Sequence, residues 1–342
     1  MTMPAFDYVR PESLEEACAV LERHGSEAMI LAGGTDLLVS LKQRVFTPKC
    51  VVDVKRIPEL RKLEFDEEAG LTVGASTSLW ELSQSDVVCA HYTAISEAAL
   101  SVAAIAQQTM GTVGGNLCLD TRCWYFNQSE MWRGTLGPCL KMGGDACFVV
   151  KEATECYANY SGDTAPAFMA YGAEARIAGP QGVRVIPVDE LYSGDGKVPI
   201  SLQLGEVLVD VRVPVPVSGV ASAYQKYRLR ESVDFPLAGV AVSFRLESDK
   251  FADVRVVMTA VGCAPERSSR VEEILAGSPP TDEVIAKASK AARSQARPLK
   301  TTVMPPPHRK KMVELIVKDA IQSAVSRCRN GSGVVETMET SG

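Results

Sequence analysis

Four cysteines, Cys123, Cys139, Cys147 and Cys156, crowd a polar, glycine-broken stretch that contains GPCLKMGGDACFVV, and nowhere else in the chain is cysteine so concentrated. Their spacing is C-x15-C-x7-C-x8-C. Four thiolates are the ligand set of a [4Fe-4S] cluster or of structural zinc. Structural zinc usually shows tight C-x2-C knuckles, which are absent here; zinc and unliganded thiols stand as the alternatives to a cluster. Trp124, Tyr125, Phe126 and Trp132 flank the first cysteine and would shield a cluster from water, although a long loop would use the same residues for ordinary packing. Cys118 is a spare ligand candidate whose plainer role is a small buried residue. Cys18, Cys50, Cys89, Cys263 and Cys328 fall in apparent helices or strands and read as core or surface thiols.

Two glycine loops supply a second kind of chemistry. AGGTDLL, residues 32 to 38, places Gly33 and Gly34 between a strand and a helix, where positive φ, close backbone approach and a helix N-terminus together suit phosphate oxygens. TMGTVGGN, residues 109 to 116, repeats the pattern with Gly111, Gly114 and Gly115, and adds Thr112 and Asn116 as side-chain donors. Two such cradles suit a pyrophosphate held from both sides, while either alone reads more simply as a turn. Neither fits the dinucleotide fingerprint or the P-loop pattern. The three histidines, His24, His91 and His308, fall in no ligand or triad pattern, and no nucleophile elbow occurs. The chain therefore shows no obvious acid, base or nucleophile. HRKK, residues 308 to 311, reads as a solvated charged turn.

The elements that must position these residues follow from periodicity. Ser13 and Glu16 form a capping-box pattern ahead of a helical stripe (Leu14, Ala17, Val20, Leu21) that ends near Gly25. With AMILAGG, DLLVSLKQR and CVVDV, the first fifty-odd residues make a β-α-β-α-β unit. A second region, to about residue 216, mixes short strands with the helical stretch YTAISEAALSVAAIA. Its middle, residues 118 to 160, has no clean period and reads as a long loop or insertion kept for function or as a local staple. The pattern then resets to three adjacent strands followed by three helices, an α+β domain. The expected divisions are 1–57, 58–217, 218–328 and a disordered tail at 329–342.

Bulk composition excludes several classes. Hydrophobic residues make up 46%, charged residues 23% and the net charge is −6, values of a globular chain without the basicity that would draw nucleic acid. No secretory signal or membrane span is evident, so a cytoplasmic setting with no membrane partner is expected. In that reducing compartment clustered thiols favour metal or redox roles over disulfides.

AGGTDLL, then TMGTVGGNLC, then SGDTAPAFMAYGAEARI, in that order and at those distances, resemble the FAD-binding medium subunit of the xanthine dehydrogenase or molybdenum hydroxylase family. The likeness continues through the C-terminal RLRESVDFPLAGVAV. It implies an α+β fold: a two-subdomain FAD-binding region of PCMH/VAO-like type, then a CO dehydrogenase flavoprotein-like C-terminal domain with a three-stranded sheet and helices. It also implies that Leu31, Ala32, Gly33, Gly34 and Thr35 form one grip on the FAD pyrophosphate and Thr112, Gly114, Gly115 and Asn116 the other. Asp163 would accept from the flavin's ribityl or ribose hydroxyls; a helix N-cap is the alternative role for an Asp before Thr-Ala-Pro.

The cysteine insertion between Asn116 and Asp163 is similar to that of the 4-hydroxybenzoyl-CoA reductase β subunit. That likeness implies a [4Fe-4S] cluster on Cys123, Cys139, Cys147 and Cys156 beside the FAD, with ferredoxin as electron donor. It further implies a small subunit with [2Fe-2S] clusters, a molybdopterin-binding large subunit acting on an aryl-CoA, and a heterohexamer of paired heterotrimers. Two rival expectations are a hydroxylase whose FAD passes electrons to NAD or another acceptor, and a zinc-stapled scaffold without redox chemistry.

Overall fold

The computed structural model describes residues 3–301 and 304–330. Its first lobe is a parallel sheet of β1 (Asp7–Val9), β2 (Ala28–Leu31) and β3 (Cys50–Asp53), with β3 in the centre. The helix Leu14–His24 starts where the Ser13 hydroxyl accepts the Glu16 N–H and stops at Gly25, whose φ of 54° suits glycine. Its stripe of Ala17, Cys18, Val20 and Leu21 is buried, as the period requires. The Glu16 carboxylate caps the N–H of Glu12 rather than of Ser13.

The second lobe carries the antiparallel strands β4 (Leu63–Asp66), β5 (Gly70–Gly74), β6 (Glu174–Gly179), β7 (Gly182–Pro187) and β8 (Val207–Val213), in the order β4-β5-β8-β6-β7. Between β5 and β6 the chain leaves the sheet. It runs through the helices Thr93–Leu100 and Ile105–Met110, the second glycine loop, the cysteine insertion and the helix Thr164–Ala170. One apolar core spans both lobes, whereas Tyr125, Phe126 and Cys139 form a small core belonging to the insertion.

The C-terminal domain departs from expectation in one respect. After β9 (Ala221–Tyr227), β10 (Ala238–Glu247) and β11 (Lys250–Thr259), a fourth strand, β12 (Glu266–Arg267), pairs with Val257 and Met258. The sheet is four-stranded, and two residues are too few to announce a strand by alternation. The long strands alternate cleanly: Val240, Val242, Val256 and Met258 face the C-terminal helices, while Tyr224, Ala241 and Val257 pack into the flanking two-lobe core. The sheet is therefore covered on both faces, and this is what fixes the domain against the rest of the chain.

The last helix, Pro306–Asn330, runs past the expected boundary at 328; the remainder of the expected tail lies outside the described residues. At its start HRKK is not simply solvated. Arg309 is 3% exposed and donates to the carbonyls of Leu237, Leu299 and Ala260. Burial pushes its guanidinium down to about 10. Arg309→Lys is expected to lower unfolding free energy by about 2–3 kcal/mol, since one ammonium cannot reach three carbonyls in a planar fork. Denaturant midpoints of the two proteins check it.

Candidate functional site

A cleft of about 980 Å³ opens between the lobes, and both glycine loops line it. Ala32, Gly33, Gly34, Thr35, Thr112, Gly114, Gly115, Asn116 and Asp163 all contribute to its walls, but Leu31 does not. The Leu31 carbonyl is tied to the Val54 N–H instead, and its side chain lies behind Gly34. The loops touch: a Cβ on Gly33 would stand 2.0 Å from the Met110 carbonyl oxygen, so only glycine fits. Gly34, at φ 74°, turns the chain into the helix Leu37–Lys42. Among the described residues, the N–H groups of Gly33, Gly34 and Thr35 have no protein acceptor.

The second loop differs from the expectation that its glycines expose N–H groups. Val113 N–H goes to Thr77, Gly114 N–H to Ala75 and Asn116 N–H to Thr112, all onto carbonyls, and Gly115 N–H goes to the Thr112 hydroxyl. The short helix Val113–Leu117 uses the Gly115 and Asn116 donors at its Thr112 cap, and the loop after β5 takes the other two. Gly114 is glycine because a Cβ would lie 2.8 Å from that of Ala75. The loop can offer an anion the Thr112 hydroxyl hydrogen and the Asn116 amide hydrogens. The Asn116 Oδ1 is already engaged by Thr164, at 2.9 Å from its N–H and 2.7 Å from its hydroxyl.

Asp163 caps no helix, because Asn116 has taken that role. Nor is its carboxylate free. Tyr224 Oη donates to Oδ1 at 2.7 Å and Lys226 Nζ to Oδ2 at 3.1 Å, both from β9. The ion pair is buried, with both side chains 4% exposed. Burial pushes the Asp163 carboxyl up and the Lys226 ammonium down, and each partner's charge opposes the other's shift.

The four insertion cysteines converge. Cys123, Cys139, Cys147 and Cys156 all line one small cavity of about 20 Å³, walled also by Tyr125, Phe126, Phe148, Val149 and Lys141. Phe126 N–H donates to Cys123 Sγ at 3.2 Å and Val150 N–H to Cys147 Sγ at 3.3 Å, the same three-residue turn used twice. Such bonds orient a sulfur's lone pairs, and the Phe126 N–H favours the Cys123 thiolate. Against this, burial pushes the Cys123 thiol up to about 11 and raises Cys156 as well. Among the described residues no three His, Cys, Asp or Glu side chains are set to hold a single metal ion. Four thiols are the donor set of a cubane cluster, whose thiolates stand farther apart than those on one ion. Tyr125 and Phe126 are buried in this wall, whereas Trp132 is 36% exposed and packs edge-on against Trp124.

Residues 4–216 match the FAD binding domain in molybdopterin dehydrogenase, and residues 222–324 match the CO dehydrogenase flavoprotein C-terminal domain. The chain belongs to this flavoprotein family. It is 29% identical over 328 residues to the carbon monoxide dehydrogenase medium chain of Hydrogenophaga pseudoflava, covering 96% of this chain and 100% of that one. It is 26% identical over 320 residues to the xanthine dehydrogenase FAD-binding subunit of Escherichia coli O157:H7, covering 93% and 96%. A solved structure of carbon monoxide dehydrogenase from H. pseudoflava superposes with a TM-score of 0.79 at 28% identity, over 96% of this chain and 100% of that one. The chain is thus an oxidoreductase subunit, with the two-lobe and C-terminal domain architecture of this family.

The cleft fits the family's flavin on a physical test. Side-chain polar atoms that are buried without a partner among the described residues include Ser76 Oγ, Gln107 Oε1 and Asp120 Oδ2, and all three residues line the cleft. A polar ligand would satisfy them. Sequence reasoning missed all three, because an orphaned atom has no local signature. It also misread Cys263, which lies in a turn after β11 and directs its thiol at the Cys156 carbonyl, 3.7 Å away.

Proposed function

We propose that this chain is an electron-transfer subunit that holds FAD in the interlobe cleft and a [4Fe-4S] cluster on Cys123, Cys139, Cys147 and Cys156. The observation that carries the reading is the convergence of four distant cysteines on one apolar cavity, two of them with N–H donors on sulfur. Bound there, the two groups would supply one-electron and two-electron chemistry. The protein's own residues hold and insulate them. Gly33, Gly34 and Thr35 present N–H groups to a pyrophosphate, and Thr112 and Asn116 bring side-chain donors from across the cleft. Asp163 acts through Tyr224 and Lys226 to pin the cleft floor to β9. Tyr125, Phe126 and Phe148 keep water from the thiols.

Partners in this reading are a molybdopterin-binding large subunit and a small subunit with [2Fe-2S] clusters, in paired heterotrimers, with substrate chemistry on the large subunit. The insertion supports electron entry from ferredoxin and reductive dehydroxylation of an aryl-CoA, as in the 4-hydroxybenzoyl-CoA reductase group. The names of the relatives, carbon monoxide and xanthine dehydrogenases, favour a second reading in which electrons leave through the flavin to NAD or another acceptor. Rapid flavin reduction by NADH but not by ferredoxin would select that second reading. The reading places the chain in a reducing, cytoplasmic setting, where its ten cysteines would stay available as thiols. No helix among the described residues is long and apolar enough to cross a membrane.

Anaerobic purification with iron, sulfide, zinc and flavin quantitation tests the proposal. About four iron and four sulfide per FAD are expected, with an EPR signal after dithionite. One zinc without sulfide would overturn it. Cys139→Ser is expected to lose most of the iron while keeping FAD, since Cys139 lines the thiol cavity and not the cleft.

A further inference from the structure

We propose that the Asp120–Lys141 ion pair joins the thiol cavity to the flavin cleft, with the free oxygen of Asp120 accepting an N–H or hydroxyl of the bound flavin and Lys141 as its positioning residue. The inference rests on the flavin and cluster reading above. Each oxygen of Asp163 already accepts from a protein donor, Tyr224 or Lys226. Asp120 offers what Asp163 lacks. Its Oδ1 receives Lys141 Nζ at 2.7 Å, whereas Oδ2 is buried with no partner among the described residues, and the residue lines the cleft. A buried carboxylate oxygen left unmatched points to a donor on the cleft's occupant.

Lys141 reaches the same carboxylate from the other compartment. It follows Cys139 by two residues, lines the thiol cavity, and its side chain is 5% exposed. Besides Asp120 it donates to the Gly196 carbonyl at 2.9 Å and to the Thr121 hydroxyl, and it stands 4.9 Å from the centre of the Phe126 ring. The Gly196 N–H in turn bonds the Cys156 carbonyl at 3.2 Å, where a Cβ on Gly196 would collide at 2.4 Å. One ammonium therefore ties the turns bearing Cys139 and Cys156 to the residue facing the flavin. A disturbance of Lys141 is thereby passed to the flavin side through a single buried contact.

The test titrates FAD into deflavinated full-length chain, in its complex, and measures iron per chain for wild type, D120N, K141M and K141R. D120N is expected to raise the FAD Kd by about tenfold or more while retaining iron, the loss typical of a hydrogen bond to a charged group. K141M is expected to weaken FAD and to lose iron, and K141R, which keeps the charge, to recover both in part. If D120N does not fold, D120E carries the same expectation, because it keeps the charge for Lys141 but displaces the free oxygen. An FAD Kd within about twofold of wild type in D120N or D120E would overturn the role of Asp120. K141M with full iron would overturn the coupling. Wild type that binds no FAD would instead defeat the flavin reading itself.

Discussion

Lys226→Met is expected to lower unfolding free energy by about 3–5 kcal/mol, the largest stability effect anticipated for a single side chain here. The substitution leaves the Asp163 carboxylate buried at 4% exposure with only Tyr224 as partner. An uncompensated buried charge costs far more than the pair itself contributes, so the sign is decided by desolvation rather than by lost attraction. The double variant Lys226→Met, Asp163→Asn should recover most of the loss, because it removes both charges together. Urea unfolding of the four proteins of this cycle gives the answer. A single-variant cost below about 1 kcal/mol would mean that the pair is solvated. Because Asp163 lies in the cleft wall and Lys226 on β9, the same variants should also weaken FAD retention.

Gly33→Ala is expected to lower FAD affinity by about 10- to 100-fold, corresponding to the 1–3 kcal/mol typical of overpacking. Its Cβ would fall 2.0 Å from the Met110 carbonyl oxygen and 2.8 Å from the Gly111 Cα, both backbone atoms that cannot swing aside. The two loops must then part, and with them the N–H groups that face the cleft. Gly115→Ala makes the contrast. Its Cβ would meet only the Thr112 hydroxyl, at 3.1 Å, so a smaller loss is expected there. Flavin-to-protein ratios after dialysis rank the two, and an equal or reversed ranking would contradict the loop contact.

What the sequence determined by itself is what repeats or lies close along the chain. The helix Leu14–His24, the alternation of β10 and β11, the strand-turn-helix around Gly33 and the glycine-broken cysteine stretch all express local periods and turn chemistry, and so were legible. The motif order also carried the family. Tertiary structure decided the partners. Asn116 rather than Asp163 caps the helix Thr164–Ala170 because the insertion folds back to bring residues far apart in sequence into contact. Arg309 is buried because the carbonyls of Leu237, Ala260 and Leu299 converge on it, and no feature of HRKK announces that. Asp120 carries an orphaned oxygen because packing sets Lys141 against Oδ1 and no donor against Oδ2. Hydrogen-bond satisfaction is a non-local property: the sequence states which groups exist, and only the packed chain decides which of them remain free for a ligand.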